Sequence, residues 1–279
     1  MSMTIQQLDQ RQKRDFKRQG FLIIENGIDA DLVTAARAEV FAAIPEDPND
    51  YESLLAGPGE REEIADLTPF EGINEQLHQY GEQVVGEGTL APLSGHGMTL
   101  RYPTGDAPWQ ARAKQVRETR SHIDGHGSSY RRGDPFGDRP VGYFTCFAMV
   151  YLDRVAPQTG GFTVWPGSHW DAGAFYQDHA RSAGYMGVPG ISPDGGWDYS
   201  QERSDQFDGF EIHGDAGTVI LAHQQLEHCG GINNSQRIRI SNIQRLTRTD
   251  VDDVDTDAAY RDIWRYWPAM RDIEPDYRV

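Results

Sequence analysis

The chain has 279 residues, 26 basic against 43 acidic, a formal net charge of −17, and 38% hydrophobic and 10% aromatic residues. This is the composition of a folded acidic protein, and it excludes a general nucleic-acid surface, because phosphate binding is driven by Lys and Arg and lysine occurs only at Lys13, Lys17 and Lys114. The same charge argues against membrane adsorption, and the strongest apolar stretch, 143–152, falls well short of the ~20 residues of a spanning helix.

Two cysteines without a C-x-x-C pattern give no disulfide framework and suit a reducing compartment. The N-terminal stretch MSMTIQQLDQRQKRDFKRQG has no apolar core of a signal peptide, so a cytoplasmic location is expected. Neither a repeat nor a low-complexity tract divides the chain, and residues 1–279 read as a single domain.

In chain order, residues 4–19 are a polar segment and FLII at 21–24 is a short strand. Asp29 can N-cap a helix whose apolar face is Val33, Ala36, Val40 and Ile44, stopped by Pro45 and Pro48; 74–85 is a second helix. From Gly97 the pattern changes to strands rich in β-branched and aromatic residues: MTLRYP, PVGYFTCFAMVYL, GGFTVWP, GTVIL and RIRISNIQRL. Near the end, Asp255 or Thr256 caps a helix that presents Tyr260, Ile263, Trp264 and Trp267 on one face. Two long connections, 104–121 and 170–210, mix glycine with aromatic residues and read as lid-like loops over a ligand.

Nine histidines invite a metal site. In an H-x-D tripeptide on a strand, residues i and i+2 point the same way and can reach one ion. Three such tripeptides occur, at His122-Ile123-Asp124, His169-Trp170-Asp171 and His213-Gly214-Asp215. His169 sits in a Pro-Gly-Ser turn, where local hydrogen bonding is its expected role, and His213 precedes a tight turn at Asp215-Ala216-Gly217. His122 opens a glycine-rich stretch that no simple turn explains. His126 extends the alternation and is read three ways: a rival ligand, a substrate contact or a polar loop residue.

The third ligand must come from a distant strand, with His228 the candidate and His223 its rival. Downstream, Arg237, Arg239 and Ser241 alternate with Ile238 and Ile240, so one strand face is cationic and polar. A buried Arg needs an anion, and its planar fork suits a carboxylate held at two points.

Four segments then resemble the phytanoyl-CoA dioxygenase family of Fe(II)- and 2-oxoglutarate-dependent oxygenases: FKRQGFLIIENGIDADLVTAARAEV, HID, TGGFTVWPGSHW and GTVILAHQQLEHCGGINNSQRIR, spread over 16–246. The last is the most specific, with a distal His followed by small residues, Asn-x-Ser and an Arg. The resemblance implies a mainly β fold with flanking helices, a double-stranded β-helix of the jelly-roll, cupin-like type. It implies His122, Asp124 and His228 as ligands of Fe(II), and Arg239 with Ser241 on the distal carboxylate of 2-oxoglutarate; Thr145 and Arg101 are weaker candidates for the co-substrate pocket. The implied reaction consumes O2, releases succinate and CO2, and hydroxylates an unactivated C–H of a small-molecule substrate; the carboxylate of Asp124 favours hydroxylation over halogenation.

Arg131 and Arg132 can meet an anionic substrate or form an exposed basic turn, and Tyr130, Trp165, Tyr185, Trp197 and Tyr199 line a cavity or belong to the core. The competing reading is a metal-binding jelly roll without 2-oxoglutarate turnover, either a sensor or a zinc hydrolase using His122, Asp124 and His126.

Overall fold

The computed structural model describes residues 5–104, 123, 144–178 and 209–275. It opens with a helix where sequence expected only a polar segment: α1, Gln10–Gln19. Asp9 and Gln12 form a reciprocal capping box that satisfies two backbone donors, and Gly20, at φ 85°, ends the helix in the left-handed conformation that glycine adopts at least cost. The helix is hard to see in the sequence because its buried face is only Phe16 and the stem of Lys17. Lys17 is held in place because its Nζ donates to the carbonyls of Met270 and Ile273, at 2.7 and 2.5 Å.

Strand β1 is Phe21–Ile24 and helix α2 is Ala30–Ala43. The expected cap is present, with the Asp29 carboxylate accepting from the Asp31 N–H, and Val33, Ala36 and Val40 are buried. Helix α3, Tyr51–Ala56, was not expected. Helix α4 is Thr68–Val85, starting six residues before the sequence reading because Pro69 occupies its first turn. The remaining elements are β2 (Met98–Arg101), β3 (Cys146–Tyr151), β4 (Phe162–Val164), α5 (Ser168–Asp178), β5 (Phe210–Glu211), β6 (Val219–His223), β7 (His228–Gly230), β8 (Arg239–Leu246) and α6 (Thr256–Arg261).

Two expectations need correction. Helix α5 occupies the start of the supposed 170–210 loop, while 179–208, like 105–121 of the other loop, lies outside the described residues. The C-terminal helix is capped by Asp255 as expected but ends at Arg261; Ile263, Trp264 and Trp267 follow in turns, yet all three are buried.

The strands form two antiparallel sheets, a five-stranded sheet in the order β1-β6-β3-β8-β2 and a three-stranded sheet in the order β5-β4-β7. Period-2 alternation divides the larger sheet into two faces. Leu22, Ile24, Cys146, Ala148, Val150, Val219, Leu221 and Ile240 pack outward against the helices, with Phe16, Phe70, Ile73, Leu77 and Tyr80. Phe21, Phe147, Met149, Tyr151, Ile220 and Ala222 face inward and meet Phe162, Val164 and Ile212 of the smaller sheet. The described candidate residues Arg101, Arg239 and Ser241 lie on this inner face. Both cysteines are buried and unbridged, and no described helix is long and apolar enough to cross a membrane.

Candidate active site between the sheets

On β8, Arg239 and Ser241 take the inward positions, since their neighbours Ile238 and Ile240 pack with the helices. Across the ladder, Arg101 of β2 is the partner of Arg239, Thr99 is the partner of Ser241, and Tyr151 of β3 faces Ser241 from the other side. Arg239 is 5% exposed. Its Nε donates to the Gly160 carbonyl at 2.9 Å, and its Nη1 donates to the Ser241 hydroxyl, which also bonds the Thr99 hydroxyl at 2.8 Å. Among the described residues Arg239 has no carboxylate partner. Burial pushes its pKa down to about 10, with the Arg101 charge adding to the effect and Tyr151 opposing it, so it remains a cation at neutral pH. An unpaired ion in this setting costs several kcal/mol, and neutral hydrogen bonds do not cancel its charge. Arg239 is therefore a candidate contact for an anionic group.

Arg101 occupies a seat made by glycine. A Cβ on Gly230 would fall inside the Arg101 guanidinium, so only glycine at this position of β7 lets that group lie against the strand. Asn233 fixes the arrangement: its Nδ2 donates to the carbonyls of Arg101 (2.8 Å) and Arg237 (2.6 Å), and its Oδ1 accepts from the N–H and hydroxyl of Ser235. The Asn-x-Ser motif therefore clamps the end of β2 to the approach of β8, and it holds the two arginine-bearing backbones in register.

His228 shares a β7 face with Gly230, two residues on. Its ring packs edge-on to Phe147 with centroids 4.9 Å apart and tilts against Phe162 at 5.1 Å. Nδ1 lies 2.9 Å from the Leu226 carbonyl. A carbonyl can only accept, so Nδ1 carries the proton and Nε2 keeps the lone pair, the tautomer a metal ligand requires. The step from Gly230 to His228 is about 7 Å along the strand, which matches the span of a short dicarboxylate reaching from the arginines to the imidazole.

The other histidines separate from this site. His223 has both ring nitrogens engaged: Nε2 donates to the Ile263 carbonyl at 3.0 Å and Nδ1 accepts from the Gln225 N–H at 3.0 Å. It stacks on Trp267 at 4.9 Å, and burial lowers its pKa to about 4. It is a neutral structural residue, which removes the rival to His228. His169 Nε2 meets the Lys17 carbonyl, 152 residues away, at 3.0 Å. His213 pairs with Glu211 at 3.1 Å, while Asp215 of the same tripeptide sits at the surface with Arg154.

His122, Asp124 and His126 lie outside the described residues, as do Tyr130, Arg131, Arg132, Tyr185, Trp197 and Tyr199. Ile123 is described, and it is buried with Ala172 and Tyr176 of α5 and Tyr260 of α6. Among the described residues no three metal-ligating side chains gather. Trp165 is core, packed with Cys229. Sequence reasoning missed Tyr151 and Thr99. The Tyr151 hydroxyl donates to the Ile212 carbonyl and accepts from the Phe162 N–H, both at 2.9 Å, bolting the two sheets together beside Arg239. Both residues share inward faces with residues that were singled out, so extending the same alternation would have found them.

The register also splits the expected co-substrate contacts. Thr145 is six residues along β3 from Tyr151, about 20 Å, several times the length of a five-carbon diacid. Thr145 and Arg239 therefore lie toward opposite ends of the inner face.

Two facing antiparallel sheets, with Arg101, Arg239 and Ser241 on the inner face of the larger and helices clothing its outer face, make this a double-stranded β-helix protein. The chain belongs to the phytanoyl-CoA dioxygenase family, whose description, Phytanoyl-CoA dioxygenase (PhyH), matches residues 16–241. Among similar solved structures, EctD from S. alaskensis in its apoform is 17% identical, with 86% of this chain and 77% of that one covered and a TM-score of 0.50. HygX from Streptomyces hygroscopicus with nickel and 2-oxoglutarate bound is 16% identical, with 87% of each chain covered and a TM-score of 0.50. EvdMO1 is 15% identical over 86% of this chain, at a TM-score of 0.49, and this chain spans half the length of that protein. No curated protein matches the chain.

Proposed function

We propose that the protein is an Fe(II)- and 2-oxoglutarate-dependent dioxygenase that hydroxylates an unactivated C–H bond of a small metabolite. The observation that carries this reading is Arg239, a buried guanidinium with no carboxylate partner among the described residues, on the inner face against which the His228 imidazole also packs, with its Nδ1 at the Leu226 carbonyl. A sensor or zinc hydrolase gives no reason for that cation. HygX, a structure of like fold, holds nickel and 2-oxoglutarate, which agrees with a diacid pocket of this kind.

His228 would hold the iron with His122 and Asp124. Arg239 and Ser241 would hold the distal carboxylate of 2-oxoglutarate, with Arg101 adding a second positive charge. When bound, ferrous iron, 2-oxoglutarate and O2 supply the oxidising power, with succinate and CO2 released. The chain does the positioning: Phe147 and Phe162 fix the His228 ring and keep water from its flanks, and Tyr151 keeps the sheets at the spacing the diacid requires.

The test is anaerobic titration of 2-oxoglutarate into the Fe(II)-loaded protein, followed by calorimetry and by the visible charge-transfer band of a keto acid chelated to iron. Wild type is expected to bind, and Arg239→Ala to bind at least about tenfold more weakly, the scale of a lost hydrogen bond to a charged group. Iron-loaded wild type that takes up no 2-oxoglutarate overturns the proposal.

A further inference from the structure

The inner face has a second polar end. Thr145 immediately precedes β3, two residues before the inward Phe147 and at the far end from Arg239, and Gln224 immediately follows β6, two residues after the inward Ala222. The two are neighbours, because the Gln224 N–H meets the Thr145 carbonyl at 3.4 Å, one step past the Cys146–His223 pair. Both are buried, at 0% and 1% exposure. Among the described residues the Thr145 hydroxyl and the Gln224 side-chain oxygen make no hydrogen bond. The Gln225 side-chain oxygen is unpaired as well, but its amide nitrogen is anchored to the Tyr260 carbonyl.

Each buried polar group left unpaired costs about 1–3 kcal/mol, so two side by side mark a place completed by something else. Their position says what. His228 packs on Phe147, one two-residue step from Thr145, whereas the arginines lie beyond Tyr151 in the opposite direction. An iron at His228 would have the diacid on one side and Thr145 with Gln224 on the other. Phe144, 4.7 Å from Phe147 and under the guanidinium of Arg245, gives this end an apolar wall.

We infer that Thr145 and Gln224 recognise the primary substrate, accepting an uncharged group that both donates and accepts hydrogen bonds, a hydroxyl or a carboxamide. The assignment rests on the oxygenase reading for its placement of iron and co-substrate. It takes Thr145 out of the co-substrate pocket and makes the pair a determinant of specificity, since a site that hydrogen-bonds a substrate group rejects analogues lacking it.

The test uses the full chain loaded with zinc(II) and 2-oxoglutarate, with acetamide, ethylene glycol and propionate as probes in saturation-transfer NMR. Acetamide or ethylene glycol is expected to bind wild type, and to bind Thr145→Val and Gln224→Leu about 2- to 10-fold more weakly, the range of one or two neutral hydrogen bonds. Propionate is expected to show no such dependence. Both variants should keep wild-type affinity for 2-oxoglutarate, and Thr145→Val should melt no lower than wild type, because the hydroxyl it removes is unpaired. Equal probe binding in all three proteins, or none, shows that the pair holds only water and overturns the inference. Loss of 2-oxoglutarate affinity, or a lowered melting point in Thr145→Val, overturns it equally. Wild type that takes the probes through these residues but no 2-oxoglutarate keeps this site and sinks the oxygenase reading instead.

Discussion

Arg101 and Arg239 stand directly opposite each other across the β2–β8 ladder, two guanidinium-bearing residues in register on the inward face of one sheet. Like charges in this position destabilise a sheet, and the pKa of Arg239 is depressed, mainly by burial and in smaller part by the Arg101 charge. Gly230 and Asn233 hold the pair in place rather than letting it relax. On the proposed function, such an arrangement would trade stability of the empty protein for affinity toward an anion.

That trade predicts opposite effects on stability and binding. Arg101→Met removes the repulsion while keeping an unbranched stem over Gly230. Without ligand it should raise stability by about 0.2–1 kcal/mol, the range for cross-strand pairs, and it should weaken 2-oxoglutarate binding. Thermal melts with and without 2-oxoglutarate read both quantities; a variant that melts lower without ligand contradicts the argument.

Asn233→Ala tests the clamp. It leaves the Arg101 carbonyl without its side-chain donor and the Ser235 N–H without its acceptor, and it leaves the Arg237 carbonyl with the Ser235 hydroxyl alone. About 2–3 kcal/mol of stability should be lost, as for a buried hydrogen-bond network broken on one side. Because the strands carrying both arginines lose their register, 2-oxoglutarate affinity should fall as well. Urea denaturation and calorimetry on the same preparation separate the two losses.

What the sequence disclosed followed from alternation and local caps. Arg239 and Ser241 were legible because they alternate with isoleucines, and α2 because Asp29 precedes an apolar face of helical period. The capped polar helix α1 was not, since two buried side chains carry no periodic signal and Lys17 is buried only through carbonyls more than 250 residues away. Trp264 and Trp267 fit a helical spacing yet come from turns, because burial against His223 and Phe16 selects the same residues as a helix face would. The choice of His228 over His223 rested on spacing to Arg239; its physical reason, both nitrogens of His223 being occupied, is visible only in three dimensions. Gln224 left no trace in the sequence, because an unpaired amide oxygen is defined by what is absent around it.

The two histidines should behave oppositely toward metal. A metal that binds only the folded chain raises the melting temperature by linkage, about 2.7 kcal/mol of stability at one hundred times its dissociation constant. His228→Ala should abolish the rise produced by Fe(II) or Ni(II), and chelation should leave that variant's melt unmoved. His223→Phe, which retains an aromatic ring against Trp267, should be less stable throughout but keep the metal-induced rise. If the rise survives in His228→Ala, His228 is not a ligand.

His223 also sets a pH dependence whose sign can be worked out. Its pKa is about 4 in the folded protein, depressed by burial, against about 6.5 in an unfolded chain. Above pH 6.5 the residue is neutral in both states and contributes no pH dependence. Between pH 6.5 and 4 the unfolded chain binds a proton that the folded one refuses, so stability falls as the pH falls. At 1.36 kcal/mol per pKa unit, the loss accumulates to about 3 kcal/mol by pH 4. Chemical denaturation from pH 8 to 4 should show this limb in wild type, and His223→Phe should flatten it by close to one proton while starting from lower stability. An unchanged slope in His223→Phe means that the acid limb belongs to other groups and that His223 is protonated as readily folded as unfolded.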